Sequence, residues 1–359
     1  MRVKYSAGQK VAQYVGLGVL GSGVCGALLL YRYDERFYRS LSSGLHRCLD
    51  GETTHRLAVL ALSRGLYFKC RDRDQSDLAV SLWGLQFGNP LGVAAGFDKH
   101  GEAVRGLTDI GFGFVEVGSV TPKPQEGTLR QAPCSEAAIN RKEDSEGHLA
   151  VRRRLELLRA GGFNGILGIN LCQNSSSASA VADYVAGVTQ FSHLADFLVI
   201  NISSPSTFTS GQDLKNLIQS VLAARRELGL ARPPPLLVKI SPDLASPELR
   251  DIAGVVTAPD SRVDGLVVSS AQSTSTISSL FSLTGGQLPI VGEGGARSGA
   301  EAWDQVVAGA SLVQVSAGLV QHGPPLLTRI RTDLRDLMLE AGYDNIQQAV
   351  GAGAHCRDE

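Results

Sequence analysis

Short apolar segments recur along the chain from residue 91 onward, and each ends in small or polar residues. The eight segments are LGVAAG (91–96), FVEVGS (114–119), GILGIN (165–170), FLVINIS (197–203), LLVKIS (236–241), GLVVSS (265–270), PIVGEG (289–294) and LVQVSA (312–317). Between the later segments lie stretches with helical spacing, namely VADYVAGVTQF, DLKNLIQSVLAARREL, SPELRDIAGVV and GAEAWDQVVAGA. Eight buried strands alternating with helices predict an α/β fold, a parallel (β/α)8 barrel, because each parallel return needs a crossover.

Polar residues gather where these predicted strands end, and in such a barrel that edge holds the active site. They are Lys99, Ser119, Asn170, Asn201 to Ser204, Lys239, Ser269 and Ser270, followed by glycines at 292, 294 and 295. In FLVINISSPST (197–207) the Asn, Ser and Pro are also ordinary turn formers. A ring of such groups is nevertheless costly to bury without a partner, so we expect it to face a polar ligand. The Gly-rich segment GEGGARSGAEAW further predicts a phosphate site beside the last two strands.

The N-terminus differs from the rest of the chain. Basic residues precede an uncharged run of 21 residues at 11–31, and no acidic residue appears before Asp34. That length suffices for one membrane-spanning helix. The pattern predicts a mitochondrial presequence retained as an anchor in residues 1–33, and a cleaved presequence is the alternative.

Two short amphipathic helices are expected in residues 34–70, before a barrel domain at 71–359. Leu57, Leu60 and Ala61 share one face of the second helix, and Thr53 or Thr54 is expected to cap it. The pair either lies at a membrane surface as a lid or packs on the barrel.

Composition narrows the function classes. The 359 residues are 43% hydrophobic and carry a formal net charge of -1, so a large core is expected and a nucleic-acid surface is not. The six cysteines lack CxxC spacing and are interpreted as reduced thiols. No metal site is visible in the sequence.

Two long segments, NPLGVAAGFDKHGEAVRGL (89–107) and GFGFVEVGSVTPKPQEG (111–127), resemble the membrane-bound, quinone-linked (class 2) dihydroorotate dehydrogenases. DERFYR, THRLAV, INISSP, LLVKISPDL and AGASLVQV extend the resemblance over most of the chain. It implies oxidation of dihydroorotate to orotate with FMN, electron transfer to ubiquinone and attachment to the inner mitochondrial membrane by a single pass. By position, Ser204 matches the catalytic base, and His55 matches a residue of the quinone tunnel. Lys239 matches the lysine at the flavin pyrimidine ring.

The same resemblance implies the remaining contacts. Substrate is expected at Lys99, Asn140 and Asn201. Flavin is expected at Ala95, Gly96, Lys99, Ser119, Asn140, Asn170, Asn201, Lys239, Ser269, Gly295, Ser316 and Ala317.

Several of these positions depart from the family pattern. The segment after PQEG is shortened and leads into Lys142, Glu143 and Asp144; the two acids would repel an anionic substrate. After the third strand, a glycine and two lysines of the family are replaced by Cys172, Gln173 and Ser175. A substrate-binding Asn is replaced by Ser206, and a Tyr–Thr pair is replaced by Ser316–Ala317. The link between the sixth and seventh strands is also short, and Glu293 adds a charge beside the expected phosphate.

Three functions therefore remain open at the level of sequence. The first is a working dihydroorotate:quinone oxidoreductase with a weakened site. The second is a catalytically impaired or silent membrane-anchored homologue that has lost orotate and FMN binding. A distant third is an aldolase that uses Lys239 to form a Schiff base.

Overall fold

The computed structural model describes most of the chain. The described residues are 35–36, 38–40, 44, 49–70, 76–127, 144–203, 210–241, 244–269, 274–294, 296–315 and 317–354. The predicted span at 11–31 lies outside them. Within the described ranges, no helix has the length and apolar character needed to cross a membrane.

A closed barrel of eight parallel strands forms the body of the protein, which confirms the predicted fold. An antiparallel hairpin of β1 (Val80–Leu82) and β2 (Leu85–Phe87) precedes it. The barrel strands are β3 (Leu91–Val93), β4 (Phe114–Val120), β5 (Ile166–Leu171), β6 (Phe197–Asn201), β7 (Leu236–Ile240), β8 (Gly265–Ser269), β9 (Ile290–Glu293) and β10 (Ala310–Val315). They pair in chain order, and β10 closes the ring on β3.

Helices cover the outside of the barrel and supply the crossovers. They are α1 (Gly51–Ser63), α2 (Val104–Asp109), α3 (Gly147–Ala160), α4 (Ala180–Phe191), α5 (Gly211–Glu227), α6 (Ser246–Thr257), α7 (Thr274–Leu283), α8 (Gly299–Ala308), α9 (Ala317–His322) and α10 (Pro325–Glu340). Short 3₁₀ turns occupy Ser76–Leu78 and Ile346–Ala349. In α5, Leu214, Leu217, Ile218 and Val221 are buried at helical spacing, and Ser210 caps the helix by accepting from the Asp213 N–H. The shortened link between β8 and β9 still contains α7, so the barrel closes.

Aromatic side chains close the N-terminal end of the barrel. The rings of Phe114 and Phe197 meet edge to face at 5.9 Å, and Phe87 from the hairpin contacts Phe114 at 5.6 Å. A Cβ on Gly92 would lie 2.1 Å from the Phe114 ring, so only glycine fits beneath it. The hairpin and these rings leave the C-terminal strand ends as the place for a site.

Helix α1 packs on the barrel through one face and exposes the other. Val59 is buried, while Leu57 and Leu60, on the expected apolar face, are 42% and 48% exposed. The expected cap at Thr53 or Thr54 was wrong: Asp50 caps the helix, its carboxylate accepting from the Thr53 N–H at 2.8 Å. Residues 35, 36, 38 to 40 and 44 are helical. The two-helix module and the domain boundaries stay predictions.

Candidate active site

Three neighbouring strands end in a set of neutral polar groups, which we call the amide cluster: Ser119, Asn170 and Asn201. The Ser119 hydroxyl donates to Oδ1 of Asn170 at 2.6 Å. The Asn201 amide donates to Ser119 Oγ at 3.0 Å and to Asn170 Oδ1 at 3.2 Å. The structure therefore brings together three side chains that the sequence analysis assigned to one ligand.

The Asn201 position is fixed from both sides. Its Oδ1 accepts from the Ser203 N–H at 3.1 Å and from the Ser203 hydroxyl at 2.7 Å. The hydroxyl of Tyr184 on α4 donates to the Asn201 carbonyl at 2.6 Å. Burial raises the pKa of Tyr184, so this hydroxyl stays a donor at neutral pH. The strand end before Ser204 is thus held in one orientation.

The next three strands end in the ion-pair cluster: Lys239 of β7, Ser269 of β8 and Glu293 of β9. Lys239 Nζ lies 2.7 Å from Glu293 Oε1 and 2.6 Å from Oε2, with the two side chains only 9% and 12% exposed. Ser269 is the register partner of Glu293 and donates its hydroxyl to Glu293 Oε2. Glu293, which was expected beside a phosphate, contacts the two groups expected to hold flavin.

Glu116 of β4 joins the two clusters and was missed by the sequence analysis. Its side chain is fully buried, and Oε1 accepts from the Asn170 amide at 2.7 Å while Oε2 accepts from the Gln314 amide of β10. Burial raises the pKa of Glu116, although Lys239 and the two amides act in the opposite direction. A single charged residue inside the apolar run FVEVGS was the available signal.

The protonation of Lys239 bears on one alternative function. Burial by itself would lower the pKa of Lys239, but the carboxylates of Glu293 and Glu116 raise it above its ordinary value. A Schiff-base lysine must lose its proton to attack a carbonyl, and a raised pKa opposes that. The pairing therefore disfavours the aldolase hypothesis.

A cavity of about 710 Å³ lies between α1 and the loop after β3, and it is lined by His55, Phe97, Lys99 and Asp144, among others. The His55 ring donates from Nε2 to the Phe97 carbonyl at 2.7 Å. Burial lowers the pKa of His55, and nearby Lys99 lowers it further, so the imidazole is neutral. Asp144, one of the acids that departs from the family pattern, lies at this cavity.

Asp98 lies fully buried at the base of the same loop. Its carboxylate oxygens accept from the N–H groups of Glu102 and Ala103, each at 2.8 Å. Burial raises the pKa of Asp98 to about 6, against the effect of these two bonds. Asp98 thus positions the loop that carries Lys99.

The structure describes only some of the remaining predicted site residues. Gly96 has φ +100°, and its N–H donates to the Gly118 carbonyl at 2.6 Å, which places residues 95 and 96 beside the amide cluster. Four predicted site residues lie outside the described residues: Ser204, Asn140, Gly295 and Ser316. Ala317 begins α9, and its side chain also falls outside the description. Their roles stay predictions, as do those of the residues described above.

The fold and the site together define a (β/α)8-barrel protein with a polar site at the C-terminal strand ends. The dihydroorotate dehydrogenase family profile matches residues 77–275 and 270–338. A mouse (Mus musculus) protein named dihydroorotate dehydrogenase (quinone), mitochondrial, is 40% identical over 93% of this chain and 95% of its own length. A Parvibaculum lavamentivorans protein named dihydroorotate dehydrogenase (quinone) is 39% identical over 87% of this chain and 97% of its own.

Solved structures agree with these sequence matches. The crystal structure of DHODH from Eimeria tenella in complex with ferulenol superposes with a TM-score of 0.78 at 30% identity, covering 84% of this chain and 95% of the other. The chain belongs to the dihydroorotate dehydrogenase family, and its similarity is to the quinone-linked, class 2 members. The resemblance inferred from the sequence is confirmed.

Proposed function

We propose that this protein oxidises dihydroorotate to orotate and passes the electrons to a quinone. The observation that carries the proposal is the amide cluster, in which Asn201 joins Ser119 and Asn170 across three adjacent strand ends. These amides and hydroxyls offer both donors and acceptors in one layer, as a planar heterocycle with alternating N–H and C=O groups requires. Relatives at about 40% identity, named for this reaction, support it.

FMN is the proposed cofactor, and the donor set of the amide cluster fits it. Ser119, Asn170 and Asn201 would hold it together with Lys239 and Ser269, and Gly96 would let the loop backbone approach closely. When bound, the flavin supplies a two-electron acceptor for hydride and returns the electrons to quinone. Lys239 would place a fixed cation beside it, provided that the lysine is released from Glu293.

Ser204 is the proposed base that takes a proton from the substrate ring carbon. It follows directly on Ser203, whose N–H and hydroxyl are both bound to Asn201, so the reacting hydroxyl would start from an ordered strand end. Serine is a weak base at neutral pH and needs a desolvated site with a proton relay. Lys99 is proposed to bind the substrate carboxylate.

The cavity beside α1 is the proposed quinone site. It combines the neutral His55 imidazole with apolar groups of α1, among them Leu57 and Leu60, whose exposed parts would face lipid. We further propose a mitochondrial location at the inner membrane, with residues 1–33 as the single-pass anchor. The mitochondrial names of relatives such as the mouse protein support the compartment.

A second candidate is a catalytically silent member of the same family. One observation favours it: Glu293 forms an ion pair with Lys239, the lysine that the flavin would need. The two candidates differ in one measurable property, which is whether the purified protein carries a redox-active flavin.

The experiment is a visible absorption spectrum of the detergent-purified full chain, with flavin quantified after denaturation. Near-stoichiometric FMN that is bleached by dihydroorotate and restored by a soluble quinone is the expected result. Folded protein that is colourless after incubation with FMN and removal of the unbound flavin would overturn the oxidoreductase hypothesis and favour the silent homologue. Protein that binds FMN but is not reduced by dihydroorotate would overturn the substrate assignment alone.

A further inference from the structure

Glu293 makes contacts that none of the proposed functional roles requires. Its two carboxylate oxygens lie 2.7 and 2.6 Å from Lys239 Nζ, and one of them also accepts from Ser269. Both partners are residues assigned to the cofactor. A single internal carboxylate therefore takes up the donors of β7 and β8 that a flavin would use.

The geometry makes this contact a property of the barrel and not of a mobile surface chain. Lys239, Ser269 and Glu293 occupy successive strands, and Ser269 pairs with Glu293 in the strand register. Lys239 is the one buried lysine among the described residues, and Glu293 is nearly as enclosed. A carboxylate held at this depth has little water to compete with it for the lysine.

The local charge balance points the same way. Glu116 is the second carboxylate that acts on Lys239 and accepts hydrogen bonds from the amides of Asn170 and Gln314, whereas Glu293 contacts Lys239 Nζ directly. A ligand that needs Lys239 as a free cation would have to displace Glu293 and leave that buried carboxylate without its counter-ion.

We propose that Glu293 is an intramolecular competitor for the flavin site, which lowers FMN affinity by holding Lys239 and Ser269. The inference rests on the proposed function, because it takes the ligand of these two residues to be the flavin. Glu293 thus sets the affinity for FMN, because it stabilises the ion pair with Lys239 relative to the flavin-bound site. Removing its charge should increase binding, which is the opposite of the usual effect of a site mutation.

The test compares FMN affinity, by quenching of flavin fluorescence, in the full-length wild type, Glu293→Gln and Glu156→Gln. Glu156 lies exposed on α3, so its variant controls for the loss of one negative charge. Glu293→Gln should bind FMN about 10- to 100-fold more tightly, as expected for removing one charge-assisted contact. Glu156→Gln should match the wild type. Adding Lys239→Met to Glu293→Gln should abolish the gain, which a merely structural effect of Gln would not predict.

A conservative variant keeps the test valid if Glu293→Gln does not fold. Glu293→Asp retains the charge but withdraws it by one methylene, and it should bind FMN about three- to tenfold more tightly than wild type. Equal, tight affinity in all variants would overturn the inference and leave the proposed function intact. Failure of every folded variant to bind FMN would overturn both. Tight binding only in the Glu293 variants would establish the inference and identify the wild type as the silent homologue.

Discussion

The amide cluster and the ion-pair cluster lie on adjacent strands of one barrel, yet their polar groups are satisfied by different partners. Ser119, Asn170 and Asn201 exchange hydrogen bonds between neutral groups. Lys239 and Glu293 are held by opposite charges in a nearly dry setting. A ligand that enters the first cluster trades one neutral hydrogen bond for another, at a net difference of about 0.5–1.5 kcal/mol each. A ligand that enters the second must separate two buried ions.

The two clusters also differ in how far they depart from the family pattern. Ser119, Asn170 and Asn201 match that pattern, whereas the ion-pair cluster combines the matching Lys239 with the altered position Glu293. At Lys239, the ion pair that stabilises the fold therefore opposes ligand binding. In the amide cluster, the hydrogen bonds that stabilise the fold can be exchanged for bonds to a ligand. The predictions below test this contrast through the free energy of unfolding.

Lys239→Met should produce the largest effect, since it leaves Glu293 buried without its cation. We expect a loss of about 3–5 kcal/mol in the free energy of unfolding, measured by urea denaturation. The double variant Lys239→Met/Glu293→Leu is the control and should recover most of that loss, because an apolar pair of similar size replaces the ion pair. A single variant as stable as wild type would show that water screens the pair.

Asp98 extends the contrast to a buried carboxylate held by neutral donors. Its folded pKa of about 6 exceeds the ordinary value of 3.8, so the folded state holds its proton more tightly than the unfolded state. The stabilisation is fully present below the unfolded value and is lost as pH rises through about 6. Relative to Asp98→Asn, the free energy of unfolding of the wild type should therefore be higher at pH 4 than at pH 7 by about 2 kcal/mol.

Urea denaturation of both proteins at several pH values measures this difference. Asp251→Asn, on the exposed surface of α6, controls for the general effect of removing one negative charge. A difference between wild type and Asp98→Asn that stays constant from pH 4 to 7 would contradict the assignment and indicate that Asp98 is solvated.

Much of the fold could be predicted from the sequence, because eight apolar segments that alternate with helices specify a parallel barrel. The order of strands then placed Ser119, Asn170, Asn201, Lys239 and Ser269 on one rim. The β1–β2 hairpin was not predicted, because its three-residue strands are too short to show a hydrophobic period. The cap of α1 was misplaced because Asp50, Thr53 and Thr54 are all good capping residues within one turn.

The pairing inside the site was less accessible from sequence. Lys239 and Glu293 are 54 residues apart, and only the closed barrel shows that their side chains converge. A glycine-rich loop at the end of β9 suggested a phosphate site, and nothing in the local pattern indicated that Glu293 turns toward β7 and β8. Side-chain direction at a strand end depends on the neighbouring strands, which a linear motif does not contain.

Within the amide cluster, burial should separate two similar substitutions. Asn170→Ala removes the donor to Glu116 and the acceptor of Ser119 at a site with no solvent access, so we expect a loss of about 1–3 kcal/mol. Asn201→Ala lies at a partly exposed position where water can replace the amide, and the loss should be about 1 kcal/mol. Urea denaturation ranks the two. A larger effect at Asn201 would show that the bonds of its side chain to Ser203, Ser119 and Asn170 hold the strand end more strongly than burial indicates.

Ser269→Ala should give the smallest change, because it removes one hydrogen bond from Glu293 while the contact with Lys239 remains. We expect a loss of about 0.5–1.5 kcal/mol in the free energy of unfolding. Ser279→Ala, exposed on α7, is the matched control and should change stability by less than about 0.5 kcal/mol. A loss at Ser269 as large as that of Lys239→Met would mean that the hydroxyl, and not the lysine, holds Glu293 in the barrel. The charged cluster would then depend on a neutral donor, as the amide cluster does, and the contrast between them would fail.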